Sequence, residues 1–464
     1  MSVVPPGVAM AELTGFGMAS RADVFLVRPA SIGQVQDALT LARNSRRKVV
    51  LRGAGRSYGD AAIAGEALAI DLTRMNRILA WDPKTGEIEI EPGVTIEDLW
   101  RHTLEDGYWP PVVSGTMFPT IGGALAMNIH GKNNFREGVL GEHVTELEVV
   151  WPTGKVETLT PDDERFFTII GGLGLFGIIV RIKLRLKKVP SSQVRVLPTA
   201  CRNWQDQFQA FRDHEGDADY MVAWVDAFAK GKRGGRGLFH AAWYADSPHP
   251  KGWHPESQDL PDTILGYFPK GQVWRYLRKF NHRQGMRLIN AAKAKSAWLG
   301  HGKPLYEGLV GFSFLLDYVP NWRKAYKHGL IQFQSFVPKE FAPDVFREQV
   351  RMQQAEKLES YLAVMKRHRP DPFLLTHGVD GYSLALDFKV DPRTWPRLEK
   401  LCHRMAELVL EAGGKFYPAK DSILTPDIYQ RSIGLDSVDW IRRIRKDLDP
   451  ESLLTSAFAE RVGL

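Results

Sequence analysis

Cysteine is nearly missing from this chain of 464 residues: only Cys201 and Cys402 occur, with no C-x-x-C spacing. A disulfide framework and a cysteine-based zinc centre are excluded, no metal site is expected, and a reducing compartment fits. Long apolar runs are missing too. The N-terminal stretch MSVVPPGVAMAELTG has no Lys or Arg before Arg21 and no continuous apolar core, which argues against a signal peptide. The pair Arg46-Arg47 is followed only by Val49-Val50-Leu51 before a polar glycine loop, so it reads as a strand entry rather than an export signal. The segment from Gly107 to Met127 is broken by Pro110, Pro111 and Pro119, and Phe166 to Val180 is too short to span a bilayer. The expected location is cytoplasmic, or peripheral on the inner membrane. Carboxylates are absent between Asp262 and Glu307, where Lys270, Arg275, Arg278, Lys279, Arg283, Arg287, Lys293, Lys295 and Lys303 stand. That stretch holds more than the whole net charge of +7, and it points to an anionic partner.

What is present is an ordinary globular composition, 44% hydrophobic, 25% charged and 11% aromatic, which rules out disorder, collagen and coiled coil. The length suggests two or three domains. Up to about residue 190 helix and strand signals alternate: Ser31 caps a helix to about Arg43, Lys48 to Arg52 and Ala67 to Asp71 read as strands, Ile88 and Ile90 alternate with acids, and Thr95 caps a helix from Ile96 to Glu105. Period-two strands follow at Val144 to Trp151 and Ile178 to Lys187. From about Val194 longer strands are expected at Tyr220 to Asp226, Gly237 to Trp243, Phe312 to Tyr318, Ile331 to Val337 and Tyr382 to Val390. Helices are expected at Pro343 to Lys357 and Arg393 to Ala412, giving an antiparallel sheet with helices on one side. The tail after Gly413 holds a strand, a loop and a helix, too little for a core of its own.

Chemistry concentrates in glycine-rich segments. Arg52-Gly53-Ala54-Gly55-Arg56-Ser57-Tyr58-Gly59-Asp60 directly follows a strand, and such closely spaced glycines let main-chain N–H groups converge on an anion. No Gly-Lys-Ser/Thr follows, so it is not a Walker loop. Ser114 to Gly123 ends in Pro119-Thr120-Ile121-Gly122-Gly123, a turn that places N–H groups at a helix start, where a pyrophosphate is stabilised. Asn128-Ile129-His130-Gly131-Lys132-Asn133-Asn134 comes next, and His130 between two glycine turns reads as a site residue. Gly172-Leu173-Gly174-Leu175-Phe176-Gly177 satisfies G-x-G-x-x-G but leads into a strand, and no acid appears until Asp206. It is not a nicotinamide fingerprint; those glycines are expected to form a second wall of the same cleft. On the strand after Ile331, Gln332 and Gln334 point to one face, which suits a polyhydroxy substrate.

These segments, with Tyr417-Pro418-Ala419-Lys420-Asp421-Ser422, resemble in order the vanillyl-alcohol-oxidase type of FAD oxidoreductase, and within it the decaprenylphosphoryl-β-D-ribose 2′-oxidase branch. The similarity runs from Leu13-Thr14-Gly15 to Asp449-Pro450. The resemblance implies an α+β, two-domain PCMH-type FAD-binding fold with an antiparallel-sheet substrate domain: residues 1–192 and 414–464 for FAD, 193–413 for substrate. It implies that Arg52, Gly53, Ala54, Gly55, Arg56, Ser57, Tyr58 and Gly59, with Gly115, Thr116, Thr120, Ile121, Gly122 and Gly123, line the FAD pyrophosphate and ring. His130, Gly131, Lys132, Asn133 and Ile179 would close the isoalloxazine pocket beside Tyr417. Arg56 or Tyr58 stands where relatives carry a flavin-linked His, and no Cys is near, so FAD should be non-covalent.

By the same resemblance Lys420, Tyr58 and His130 are catalytic, and Trp224, Gln332, Gln334 and Lys366 line a sugar-phosphate pocket with Ser383 and Ala385 on its wall. Lys420 either stabilises charge developing on the flavin or takes the hydroxyl proton; the sequence leaves both open. Ser383 and Ala385 replace Asn and Cys of mycobacterial members, and Asn134-Phe135 replaces a His pair. The implied reaction oxidises the 2′-hydroxyl of a polyprenyl-phosphoryl-β-D-ribofuranose to the 2′-keto sugar, and a separate NAD(P)H-dependent short-chain reductase completes the epimerisation. Rival readings are a soluble alditol or aldonolactone oxidase and a cofactor-free basic protein on membrane or nucleic acid; the resemblance favours a lipid-phosphate substrate and no nucleic acid. The carboxylate-free basic stretch, which also carries Trp274, Tyr276, Phe280 and Trp298, then reads as a lid meeting an anionic membrane.

Overall fold

Ser31 starts the first helix as its spacing predicts. Its hydroxyl accepts the Gln34 N–H, and Val35, Ala38, Leu39 and Ala42 turn inward from the helix Ile32–Asn44. In the computed structural model, which describes residues 8–246, 253–264 and 266–464, this helix crosses between the strands Arg21–Val27 and Val49–Arg52. Both lie parallel to Leu68–Asp71, which runs between them, and Ala9–Thr14 closes the edge. A second sheet of five antiparallel strands has the order Ile78–Asp82, Glu87–Ile90, Ile178–Arg185, Val144–Val150, Val156–Leu159. Thr95 and Asp98 form a reciprocal capping box on the helix Ile96–Thr103, which buries Ile96, Leu99 and Trp100.

The third sheet has eight strands, in the order Leu305–Gly308, Gln193–Cys201, Gly237–Tyr244, Tyr220–Val225, Leu362–His368, Gly381–Lys389, Leu330–Pro338, Lys415–Phe416. Every neighbouring pair is antiparallel. Period two sorts its side chains. Tyr382, Leu384, Leu386 and Phe388 are buried with the helix residues Phe346, Leu401 and Met405, while Ser383, Ala385 and Asp387 face the other way, into a cavity shared with the first two sheets.

Two expectations are corrected. Phe312 to Tyr318 is not a strand but the helix Leu309–Ser313 followed by a 3₁₀ turn at Leu315–Asp317. A short apolar run fits a buried strand or a buried helix equally, and Asp317 decides it by bonding the Thr116 hydroxyl and the Met117 N–H at 2.7 and 2.8 Å. The tail carries three helices rather than one, Pro426–Ile433, Leu435–Leu448 and Ala457–Val462, after the short strand Lys415–Phe416 has joined the eight-stranded sheet. It returns to the first sheet through Val49, whose N–H donates to Leu453 O and whose carbonyl accepts from Thr455. Arg461 bridges Asp60 of the glycine loop and Asp421 of the tail.

Candidate active site

The strand Val49–Arg52 delivers the chain into the loop Gly53–Gly59. A side chain on Gly53 would collide with the Thr120 hydroxyl, and Gly55 takes a positive φ of 63° against the Arg52 guanidinium. Arg52 is held by the carbonyls of Thr14 and Ala62 at 3.0 and 3.2 Å, so it braces the loop while bordering the cavity. Among the described residues the N–H groups of Ala54 to Ser57 have no protein partner, and the buried Nε of Arg56 has none either. Free amides beside an arginine fit the pyrophosphate of a dinucleotide.

The second glycine turn works differently from its sequence reading. Thr120 does cap a helix, Ile121–Ala126, but the helix-start amides are already used: Ile121 donates to Val94 O, Gly122 to Pro92 O and Gly123 to the Thr120 hydroxyl. Gly122 and Gly123 therefore border the cavity without supplying donors, and Gly122 is small because it packs on Pro92. Three other expected cofactor positions do not reach the cavity. Ile121 is buried in the core beneath it, Gly131 packs on the Asn133 side chain and Val113 O, and Gly59 lies hard against Asp421 O of the tail. The remaining expected residues border one cavity of about 610 Å³: Ala54, Ser57, Gly115 and Thr116 towards the glycine loops, His130, Lys132, Asn133, Ile179 and Tyr417 in the middle, and Trp224, Gln332, Gln334, Lys366, Ser383 and Ala385 on the large sheet. Leu173, Gly174 and Gly177 of the G-x-G-x-x-G run form part of its wall.

At the centre, the Lys420 ammonium lies 3.9 Å from the centroid of the Tyr58 ring. Burial lowers the Lys420 pKa, while burial and then nearby Asp387 push the Tyr58 phenol well up, so Tyr58 stays neutral. Asp387, which the sequence reading left without a role, borders the same cavity and is buried. Gln332 donates to it, so that amide nitrogen is committed rather than free for a sugar. Gln334 contacts His130 Nε2 at 3.2 Å and the Ser383 hydroxyl at 3.4 Å.

Two further histidines went unnoticed in the sequence. His377 Nε2 is 2.9 Å from His130 Nδ1, and His368 bridges Ser383 and Asn134 at 2.8 and 3.0 Å. All three imidazoles are driven below their ordinary range by burial first and by neighbouring lysines second, so His130 is a neutral, doubly tied ring.

The far end is cationic. Burial lowers Lys132 to about 7, with Lys366 adding repulsion, and lowers Lys366 and Lys293 to about 8 each. Among the described residues none of the three has a carboxylate within ion-pair distance. Lys132 instead donates to Phe312 O and lies over the Phe312 ring, and Lys293 lies 4.6 Å from the Trp224 ring centroid. The basic stretch above forms two helices, Val273–Phe280 and Arg283–Gly300.

Residues 24–160 match the FAD binding domain family. The decaprenylphosphoryl-β-D-ribose oxidase of Mycolicibacterium smegmatis is 31% identical over 435 residues, 91% of each chain. The chain belongs to the decaprenylphosphoryl-β-D-ribose oxidase family. A carbohydrate oxidase of Microdochium nivale is 26% identical over 52% of this chain and 50% of its own, and a putative D-arabinono-1,4-lactone oxidase of Neurospora crassa is 28% identical over only 36% and 29%. The protein is an FAD-dependent oxidoreductase with the two-domain α+β architecture of this oxidase family. Among the described residues no helix is long and apolar enough to cross a membrane.

Proposed function

We propose that the protein oxidises the 2′-hydroxyl of a polyprenyl-phosphoryl-β-D-ribofuranose to the 2′-keto sugar, the first half of an epimerisation that a separate NAD(P)H-dependent short-chain reductase completes. One observation carries this reading: a single cavity joins a glycine loop with unpaired amides, the half-buried Lys420 and, at its far end, Lys132 and Lys366, neither of them in ion-pair contact with a carboxylate. Two half-buried ammonium groups with no carboxylate in ion-pair contact, Glu307 acting on Lys132 only from farther off, are costly unless an anion meets them, and a sugar phosphate supplies one.

FAD, bound non-covalently, would supply the acceptor for the hydride of the carbinol carbon. The unpaired amides of Ala54 to Ser57 and the Arg56 guanidinium would hold its pyrophosphate. Lys366 and Lys132 fix the substrate phosphate, and the side-chain oxygen of Gln334 faces the sugar hydroxyls, while Gln332 is held between Asp387 and the Tyr58 phenol. Lys420, whose free amine is made accessible by burial, takes the hydroxyl proton as the C=O bond forms. His130 and Tyr58, both neutral, shape the pocket and keep it dry.

The lid helices support a peripheral contact with an anionic bilayer. Tyr276, Phe280 and Trp298 are 54%, 44% and 50% exposed, and Arg275, Arg278, Lys279, Arg287 and Lys295 point to solvent beside them. Arg283 is instead paired with Glu359, and Lys293 borders the cavity. Deleting the lid would damage the site, so the test replaces Arg275, Arg278, Lys279 and Arg287 with Glu. Loss of binding to phosphatidylglycerol vesicles at unchanged FAD content is expected, and unchanged binding refutes the contact.

The reaction is tested by anaerobic flavin reduction across prenyl-phosphate pentoses of varied chain length, beside xylitol and gulonolactone. Rapid bleaching by the lipid-phosphate ribose alone is expected. Bleaching by the free polyols but not by the lipid ribose overturns the reading in favour of an alditol or aldonolactone oxidase.

A further inference from the structure

Asp387 is an anomaly in the cavity. It is a carboxylate 1% exposed, it has one neutral hydrogen-bond donor, Gln332, and no lysine or arginine lies within ion-pair distance of it among the described residues. The strand register explains its place. Gly381–Lys389 sets Asp387 directly opposite Gln332 on one neighbouring strand and Leu362 on the other, and the period-two alternation that turns Leu386 and Phe388 into the core turns Asp387 to the cavity. A buried carboxylate without a cation costs several kcal/mol, so its retention in a site suggests work done on a neighbour.

The neighbours are few. Tyr58 of the glycine loop, Gln332 of the adjacent strand and Lys420 of the tail line the same cavity as Asp387, Gln332 bonded to its carboxylate and the Lys420 ammonium 3.9 Å from the Tyr58 ring centroid, and Tyr326 of the turn after Trp322–Ala325 also acts electrostatically with Asp387. Lys366 also acts on Lys420, and Arg323 acts on Tyr58. Of the groups that act directly on Asp387, only Lys420 changes charge in the neutral range, since both phenols are driven up by burial.

We infer that Asp387 is the counter-ion of Lys420: a positioning residue that stabilises the ammonium formed when Lys420 receives the substrate's hydroxyl proton. The inference rests on the proton-accepting role proposed above for Lys420. In that step the substrate O–H bond breaks, its proton passes to the Lys420 nitrogen, the carbinol hydride goes to the bound FAD, and Asp387 remains a carboxylate throughout. Its charge offsets the repulsion that Lys366 exerts on the new ammonium. Gln332, held by Asp387, orients the carboxylate rather than the sugar.

Coupling between two titrating groups is reciprocal, so Asp387 reports on Lys420 without substrate. The test follows the protonated-carboxyl infrared band of ¹³C-aspartate-labelled, FAD-loaded protein against pH, the Asp387 band being identified by its loss in Asp387→Asn. In Lys420→Met the band should titrate about one to three pH units higher than in wild type. In Lys420→Arg, which keeps the charge, it should titrate no higher than in wild type. An Asp387 midpoint that is the same in Lys420→Met as in wild type overturns the inference.

A second arm covers the case in which Lys420→Met does not fold. In Asp387→Asn the rising limb of anaerobic flavin reduction against pH should move down by about one unit or more, and Asp387→Glu should restore it. An unmoved limb also overturns the inference. The infrared arm needs no substrate, so an Asp387 that titrates as stated in a protein that ignores the lipid ribose would refute the proposed function alone.

Discussion

Replacing Lys366 with Met tests the anion-binding end of the cavity with two readouts of opposite sign. Burial lowers the Lys366 ammonium from 10.5 to about 8. At about 1.4 kcal/mol per pH unit, keeping it charged in the folded protein costs at most about 3.5 kcal/mol, and water in the cavity brings the figure towards about 1–2 kcal/mol. Below pH 8 both folded and unfolded chains carry the proton, so the penalty is constant there. Between 8 and 10.5 the unfolded chain binds more protons than the folded one, stability rises with pH, and the penalty fades. Lys366→Met removes it, so the variant should unfold at a higher temperature than wild type at pH 7, with the difference closing by about pH 10. The same change removes one partner of the buried phosphate pair, which costs about 2–5 kcal/mol, and the apparent Kd for a prenyl-phosphoryl ribose should rise at least about thirtyfold. Thermal melts of the ligand-free holoenzyme at pH 7 and 10, and anaerobic flavin titrations with the substrate, measure both. A variant less stable than wild type at pH 7 that binds substrate normally would show that Lys366 is a structural strut.

Lys420→Ala should slow single-turnover flavin bleaching at saturating substrate by about a hundredfold or more, the usual contribution of a placed proton acceptor; near-normal bleaching removes Lys420 from the chemical step. Gly59→Ala forces a methyl group against Asp421 O and should push the tail from the glycine loop, seen as FAD loss on gel filtration and a lower melting temperature; full FAD retention would show that the contact yields. His377 is lowered to about 3 by burial, and His130 and His368 also lie well below 6.5. As pH falls below 6.5 the unfolded chain gains protons that the folded chain refuses, so stability should drop by up to about 1.4 kcal/mol per pH unit for each. A His377→Phe variant should flatten that slope in denaturant titrations between pH 6.5 and 4, and an unchanged slope counts against a neutral His377. Cys201 and Cys402 are both buried, with Cys201 raised to about 12 and Cys402 raised as well, and Ala385 places no thiol at the cavity. Iodoacetamide should leave flavin reduction intact, and inactivation would reveal an accessible thiol.

Much of the fold was legible because it rests on local patterns. Ser31 and Thr95 mark helix starts through their own hydroxyls, and the alternation along Gly381–Lys389 needs only the pleat to put Ser383 and Ala385 on one face. Phe312 to Tyr318 was not legible, since its conformation depends on Asp317 reaching Thr116, some two hundred residues earlier in the chain.

Gly55 is legible from local chemistry, because its positive φ and its contact with Arg52 involve only a few residues and mark backbone that can approach a flat, anionic cofactor, whereas the contact of Gly53 with Thr120 exists only once the chain is folded. Which donors remain free is set by contacts between distant parts of the chain. The amides of Ile121 and Gly122 look available along the chain but are taken by Val94 and Pro92, while those of Ala54 to Ser57 are left unpaired. The same holds for charge. Asp387 is one acid among many until the register brings it opposite Gln332 and the tail brings Lys420 beside it. Electrostatic roles depend on burial and on distance through space, and neither is a property of sequence order.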